Sequence, residues 1–162
     1  MTQPKGIHSF TLKAIDGRER SLAQYAGKAL LLVNVASECG FTPQYKDLEA
    51  LHRRYQDRGF MVLGFPCDDF GHQEPGADAE VKSFCERNYG VSFDLFSKIR
   101  IKDEPRAPLY QYLTAEAGFD GPVAWNFAKF LAGRDGAVLA RWDPKVKPLA
   151  PEIVSAVEKA LQ

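Results

Sequence analysis

The chain has 162 residues, 45% apolar and 26% charged, which fits one globular domain spanning residues 1–162 with room for a real core. Lys plus Arg and Asp plus Glu number 21 each, so the formal net charge is zero, and bulk electrostatics speak against a nucleic-acid or membrane-surface partner. No apolar run reaches transmembrane length, and the polar stretch Met1 to Gly6 lacks the apolar region of a secretory signal; a cytoplasmic protein without stable membrane association is expected.

In chain order, Phe10 to Lys13 and Arg18 to Leu22 flank Asp16-Gly17 and predict a β-hairpin. Ala29 to Ala36 is a continuous apolar run with β-branched valines, the pattern of a central strand buried on both faces. Thr42 is placed to cap a helix with Pro43 at its first position, and Leu48, Leu51 and Tyr55 supply its apolar stripe before Gly59 stops it. Phe60 to Phe65 is a second buried strand, so strand, helix and strand predict a right-handed parallel crossover. A Pro-, Gly- and Asp-rich loop from Pro66 to Gly76 leads to a short helix, Asp78 to Asn88. Further helices are expected over Pro108–Ala117 and Pro151–Leu161, with strands over Asn126–Leu131 and Ala137–Trp142 between them. The order implies an α/β fold with a mixed central sheet and helices on both faces.

In such sheets functional groups gather at the carboxyl ends of the parallel strands. Cys39 lies there, after the first central strand and just before a helix N-terminus, whose unpaired N–H groups favour an anion. Glu38 opposes a thiolate unless its carboxylate turns to solvent. Position alone leaves Cys39 open as a reactive thiol or as an inert buried one. Two stretches carry neutral donors able to reach the same edge: Gln73 in FGHQEPG, and Trp125-Asn126 in VAWNFAKF. Each residue alone also reads as a turn or core side chain. The three cysteines, Cys39, Cys67 and Cys85, contain no CxxC, which argues against a disulfide scaffold and a structural zinc site; no metal or cofactor is expected.

VNVASECGFTPQY, GFPCDDFGHQEPG and WNFAKFL, in this order, resemble the three signature stretches of the glutathione peroxidase family, over about Ile7 to Leu161. The resemblance implies a thioredoxin-like fold and a tetrad in which Cys39 is held by Gln73, Trp125 and Asn126. It implies reduction of hydrogen peroxide and organic hydroperoxides, with a sulfenic acid formed at Cys39. The compact segment from Ile101 to Val123 resembles the monomeric branch, and cysteine rather than selenocysteine at position 39 places it with the cysteine branch. Cys85, in VKSFCERNYGVSF, matches a resolving cysteine, which implies thioredoxin, or alternatively glutathione, as reductant. Cys67 matches a cysteine that is usually not the resolving one.

A Cys39–Cys85 bond needs Cα atoms within about 7 Å, so the short helix 78–88 is expected to unwind to make it. The chain departs from the family pattern at Asp68-Asp69, where Asn-Gln is usual, at Glu38 and at His72. A peroxide sensor that relays oxidation to a partner protein shares the first chemical step and is separated by turnover with thioredoxin alone; a non-catalytic thioredoxin-fold module is separated by tolerance of Cys39→Ser.

Overall fold

The computed structural model describes residues 6–162; the polar stretch before Gly6 lies outside them. The predicted hairpin is present as β1 (Thr11–Lys13) and β2 (Glu19–Ser21), antiparallel around a turn in which Gly17 takes φ 89°. It is shorter than expected because the Ser21 side chain accepts from the Ala23 N–H and starts a 3-10 turn over Leu22–Tyr25.

All seven residues of β3 (Ala29–Val35) are buried, as its apolar run predicts. Helix α1 (Gln44–Tyr55) turns Tyr45, Leu48, Leu51 and Tyr55 inward. After a short 3-10 continuation Gly59, at φ 93°, redirects the chain into β4 (Phe60–Pro66). β3 and β4 pair in parallel with Ala29 opposite Phe60 and Val35 opposite Pro66, so the expected crossover is present. Then come α2 (Asp78–Tyr89), β5 (Asp94–Leu95), α3 (Pro108–Ala115), β6 (Lys129–Ala132), β7 (Val138–Trp142) and α4 (Pro151–Ala160). The two-residue β5 was not expected, because a strand that short has no alternation to read.

The main sheet runs β5-β4-β3-β6-β7, parallel among β5, β4 and β3 and antiparallel from β3 outward through β6 to β7. Side chains alternate across β3. Leu31, Val33 and Val35 pack with residues of α1, α2 and α4, whereas Leu30 and Leu32 pack with α3 and the N-terminal segments. Helices therefore cover both faces, as the element order implied.

Helix α2, like α4, is lightly seated. Of its twelve residues only Val81 and Cys85 are buried. Its ends are pinned instead: Asp78 accepts from the Ser97 hydroxyl and the Lys98 N–H, and Gly90 caps the other end at φ 57°. Among the described residues no helix is long and apolar enough to cross a membrane.

Candidate active site

The carboxyl ends of parallel β3 and β4 and the amino end of antiparallel β6 meet at one edge of the sheet. Cys39 follows β3, Gln73 follows β4, and Trp125-Asn126 precede β6. Topology alone thus brings three distant segments together, and hydrogen bonds fix their register.

Cys39 is 7% exposed, in the loop between β3 and α1. Its Sγ accepts from the Phe41 N–H at 3.3 Å, while its own N–H donates to Thr42 Oγ1 at 2.9 Å. The Thr42 hydroxyl donates in turn to Ala36 O at 2.8 Å. Thr42 therefore does not cap α1 as expected; it closes the cysteine loop, and Pro43 stands at the helix boundary without a side-chain cap. The thiol receives its N–H from that loop rather than from the first turn of α1. Glu38 is exposed, so its carboxylate is turned to solvent.

The cysteine loop is laced to the loop after β4. The Glu38 N–H donates to Gln73 O at 2.9 Å, the Ser37 N–H donates to Glu74 Oε1 at 3.1 Å, and the Ser37 hydroxyl donates to the same oxygen. Asn126, fully buried, donates from Nδ2 to Gln73 Oε1 at 3.1 Å and to Phe70 O at 3.3 Å. With Oε1 engaged, the Nε2 group remains as the donor end of the Gln73 amide. Trp125 is half-buried, edge-on to Phe70 at 6.0 Å between centroids, and packs against the apolar cluster that contains Cys39. Gly71 makes this seat possible: it sits at φ 72°, and a Cβ there would come within 2.8 Å of the Trp125 ring.

The Trp-Asn pair is not the start of a strand, as its sequence suggested. It forms a turn, because Phe127 takes φ 69° and extended pairing resumes only at Lys129. Buried Asn34 of β3 pins this turn: its Nδ2 donates to Trp125 O at 3.0 Å, and its backbone carbonyl accepts from the Phe127 N–H. Fully buried Lys129 adds a second pin, donating from Nζ to Phe127 O at 2.8 Å and Pro144 O at 3.1 Å. Pro144 O also accepts from Gln44 Nε2, at the start of α1.

Burial lowers the Lys129 pKa to about 7, below its unfolded value near 10.5. The contribution of Lys129 is then fully present above about 10.5, falls as pH drops toward 7, and is lost below that. Lys129→Met is expected to flatten this part of the stability curve in urea titrations between pH 7 and 10. A wild-type slope in the variant would show that Lys129 keeps its ordinary proton affinity in the fold.

The other two thiols differ from Cys39 in setting. Cys67 is fully buried on the opposite face of the sheet, and burial pushes it up to about 12. Cys85 is fully buried in the cluster that contains Cys39; burial pushes it up to about 11, with the Tyr45 hydroxyl countering and Glu74 and Glu86 reinforcing. All three cysteines are free thiols. Asp68 and Asp69 serve as loop anchors: Asp68 accepts from the Glu74 N–H and contacts His72, and Asp69 accepts from the N–H groups of Ile101, Lys102 and Asp103. Burial would raise Asp69, yet those three N–H groups hold it below the usual carboxylate range.

Sequence reading missed Asn34, Lys129 and Glu74. Glu74 stood inside the quoted FGHQEPG stretch, but an acidic residue in a polar loop carries no signal of burial.

This architecture is a thioredoxin-like fold. It matches a thiol:disulfide interchange protein of the thioredoxin family from Chlorobium tepidum TLS with a TM-score of 0.70, at 19% identity, covering 100% of this chain and 99% of that one. The glutathione peroxidase family model matches residues 7–114. Glutathione peroxidase homolog BsaA of Halalkalibacterium halodurans is 48% identical, over 88% of this chain and 92% of its own. Thioredoxin/glutathione peroxidase BtuE of Escherichia coli K12 is 45% identical, over 96% and 97%. The chain belongs to the glutathione peroxidase family. It is a thiol peroxidase, an enzyme that reduces a hydroperoxide at the expense of a thiol reductant.

Proposed function

We propose that Cys39 is the peroxidatic residue, with Gln73, Trp125 and Asn126 as its neutral donor set. The observation that carries this reading is the lacing of three segments around one thiol, from Glu38 to Gln73 and from Gln73 to Asn126. A thiolate at Cys39 attacks the distal oxygen of the hydroperoxide. The O–O bond breaks, Cys39 becomes a sulfenic acid, and the departing oxygen leaves as alcohol or water after taking a proton. Neutral N–H donors stabilise the thiolate and the developing oxyanion without a competing titration.

Cys85 resolves the sulfenic acid as a disulfide, and thioredoxin reduces that disulfide, with glutathione as the alternative. Two features of α2 support this. Its Cys85 thiol is held protonated by burial, so it attacks only after leaving its seat. The helix fully buries only Val81 and Cys85, with Phe84 and Tyr89 half-buried beside them, so few residues leave the core when it opens. The BtuE name, with both thioredoxin and glutathione in it, fits the same choice of reductants. The protein works as a monomer in the cytoplasm; the compact segment 101–123 fits the first and a sparse, odd count of three cysteines fits the second.

The test is intact mass with peptide mapping after one equivalent of hydrogen peroxide without reductant. A loss of about two mass units with a Cys39–Cys85 link is expected. A gain of about sixteen or thirty-two units at Cys39, with Cys85 still free, would overturn the role of Cys85 and turn attention to glutathione or to a relay partner.

A further inference from the structure

One buried acid has no part in the peroxide step. Glu74 is fully buried. Its Oε1 is held by the N–H and hydroxyl of Ser37, while its Oε2 has no hydrogen-bond partner. An unpaired buried carboxylate oxygen is costly to keep. The fully buried Tyr45 hydroxyl likewise lacks a well-formed hydrogen bond. The Tyr45 ring packs in the apolar cluster with Cys39 and Cys85. Glu74 lies close enough to raise the proton affinity of both Cys85 and Tyr45. Three groups able to carry a proton therefore share the interior beside Cys39.

The attachment of Glu74 decides which of these groups stays put. It follows Gln73 directly, is bonded to Ser37 two residues before Cys39, and its N–H donates to Asp68. It is thus fixed to both loops of the site and not to α2, which carries Cys85. When α2 opens and Cys85 approaches the Cys39 sulfur, Glu74 stays bonded to Ser37, two residues before Cys39.

We propose that Glu74 is the proton-transfer group of the resolving half-reaction, taking the thiol proton of Cys85 and returning it to the hydroxyl that leaves Cys39. This rests on the reading of Cys85 as the resolving residue. The step balances without an added reagent. The Cys85 sulfur attacks the Cys39 sulfur, the S–S bond forms, the S–O bond breaks, and the Cys85 proton joins the departing hydroxyl to make water. The two sulfurs, one at the sulfenic level and one at the thiol level, both end at the disulfide level. The attacking thiol must give up its proton, and the leaving hydroxyl needs one. Burial pushes Glu74 up to about 7, against the Ser37 donors and Lys98, with Asp68 reinforcing, so it serves in both directions near neutrality. The groups facing it are Ser37 from the cysteine loop, Asp68 from its own loop, Tyr45 from α1, Cys85 from α2 and Lys98 beyond β5.

The test follows the reduced full-length protein after one equivalent of hydrogen peroxide, by rapid acid quench and mass, from pH 5.5 to 8.5. Glu74→Gln retains an oxygen to accept from Ser37 but cannot transfer a proton. Its disulfide step is expected to slow by about 10²-fold relative to its sulfenic-acid step, the lower end of what a positioned acid–base group supplies. Its disulfide step is also expected to lose the pH dependence near 7 seen in wild type. Wild-type rate ratios and an unchanged profile in Glu74→Gln would overturn the proposal. If that variant fails to fold, Glu74→Asp carries the test: the carboxyl is kept, so a slower disulfide step with the pH dependence retained is expected, and a flat profile overturns it. Absence of any Cys39–Cys85 disulfide in wild type is a separate result, which removes the resolving role of Cys85 and this proposal with it.

Discussion

Cys39→Ser is expected to lower the rate of hydroperoxide reduction by about 10⁴-fold or more, the scale on which removal of a nucleophile acts. The substitution is nearly isosteric, and a serine hydroxyl can still accept from the Phe41 N–H that now meets the thiol. The Cys39 N–H remains bonded to Thr42, so the loop that presents position 39 stays closed. The loss therefore reports chemistry and not folding. A hydroxyl is scarcely ionised near neutrality, and oxygen is a poor nucleophile toward an O–O bond compared with a thiolate. Stopped-flow measurement of peroxide consumption, beside a thermal melt of the same sample, checks it. A well-folded variant that keeps more than about a hundredth of the wild-type rate would remove Cys39 from the role given to it.

Asn126→Leu is expected to reduce the rate of Cys39 oxidation by about 10²- to 10³-fold, because it releases the Gln73 amide and so costs the site one oxyanion donor. The Asn126 amide is fully buried and is the side-chain link between the Trp-Asn turn and Gln73. Without it Gln73 Oε1 and Phe70 O each lose a donor, so the Gln73 amide is no longer oriented. The same two orphaned acceptors should lower stability by about 1–3 kcal/mol. Kinetics and stability together test the assignment. A variant destabilised by that amount but oxidised by hydrogen peroxide within about threefold of the wild-type rate would make Asn126 a structural strut alone.

The central sheet was legible because β3 and β4 are long apolar runs interrupted by one strongly punctuated helix. The gathering of Cys39, Gln73 and the Trp-Asn pair at one edge followed from the ends of those strands. The groups that hold them there were hidden. Thr42 read as a helix cap because its sequence neighbours allow one, and only the tertiary path shows its hydroxyl turned back to Ala36. Asn34 and Lys129 are polar residues inside apolar strands, and each donates to a carbonyl outside its own strand, Trp125 O and Pro144 O. The strand predicted from Asn126 begins three residues late, since nothing in the letters announces a phenylalanine at φ 69°. The Asp68-Asp69 departure from the family pattern is accommodated by local N–H donors, which the sequence names but does not aim.

The light seating of α2 has a consequence for redox poise. On the two-cysteine reading, the oxidised enzyme holds α2 open, and reduction lets it close again. The free energy of closure then drives reduction of the disulfide. Each 1.4 kcal/mol of it raises the two-electron reduction potential by about 30 mV. The contacts made by Val81, Cys85, Phe84 and Tyr89, with the Asp78 anchor, thus work as a tuning weight on the couple. Deeper seating would make the disulfide easier to reduce but slower to form, and shallower seating the reverse. On that reading, the packing of one short helix sets the balance between capturing an oxidising equivalent and handing it on.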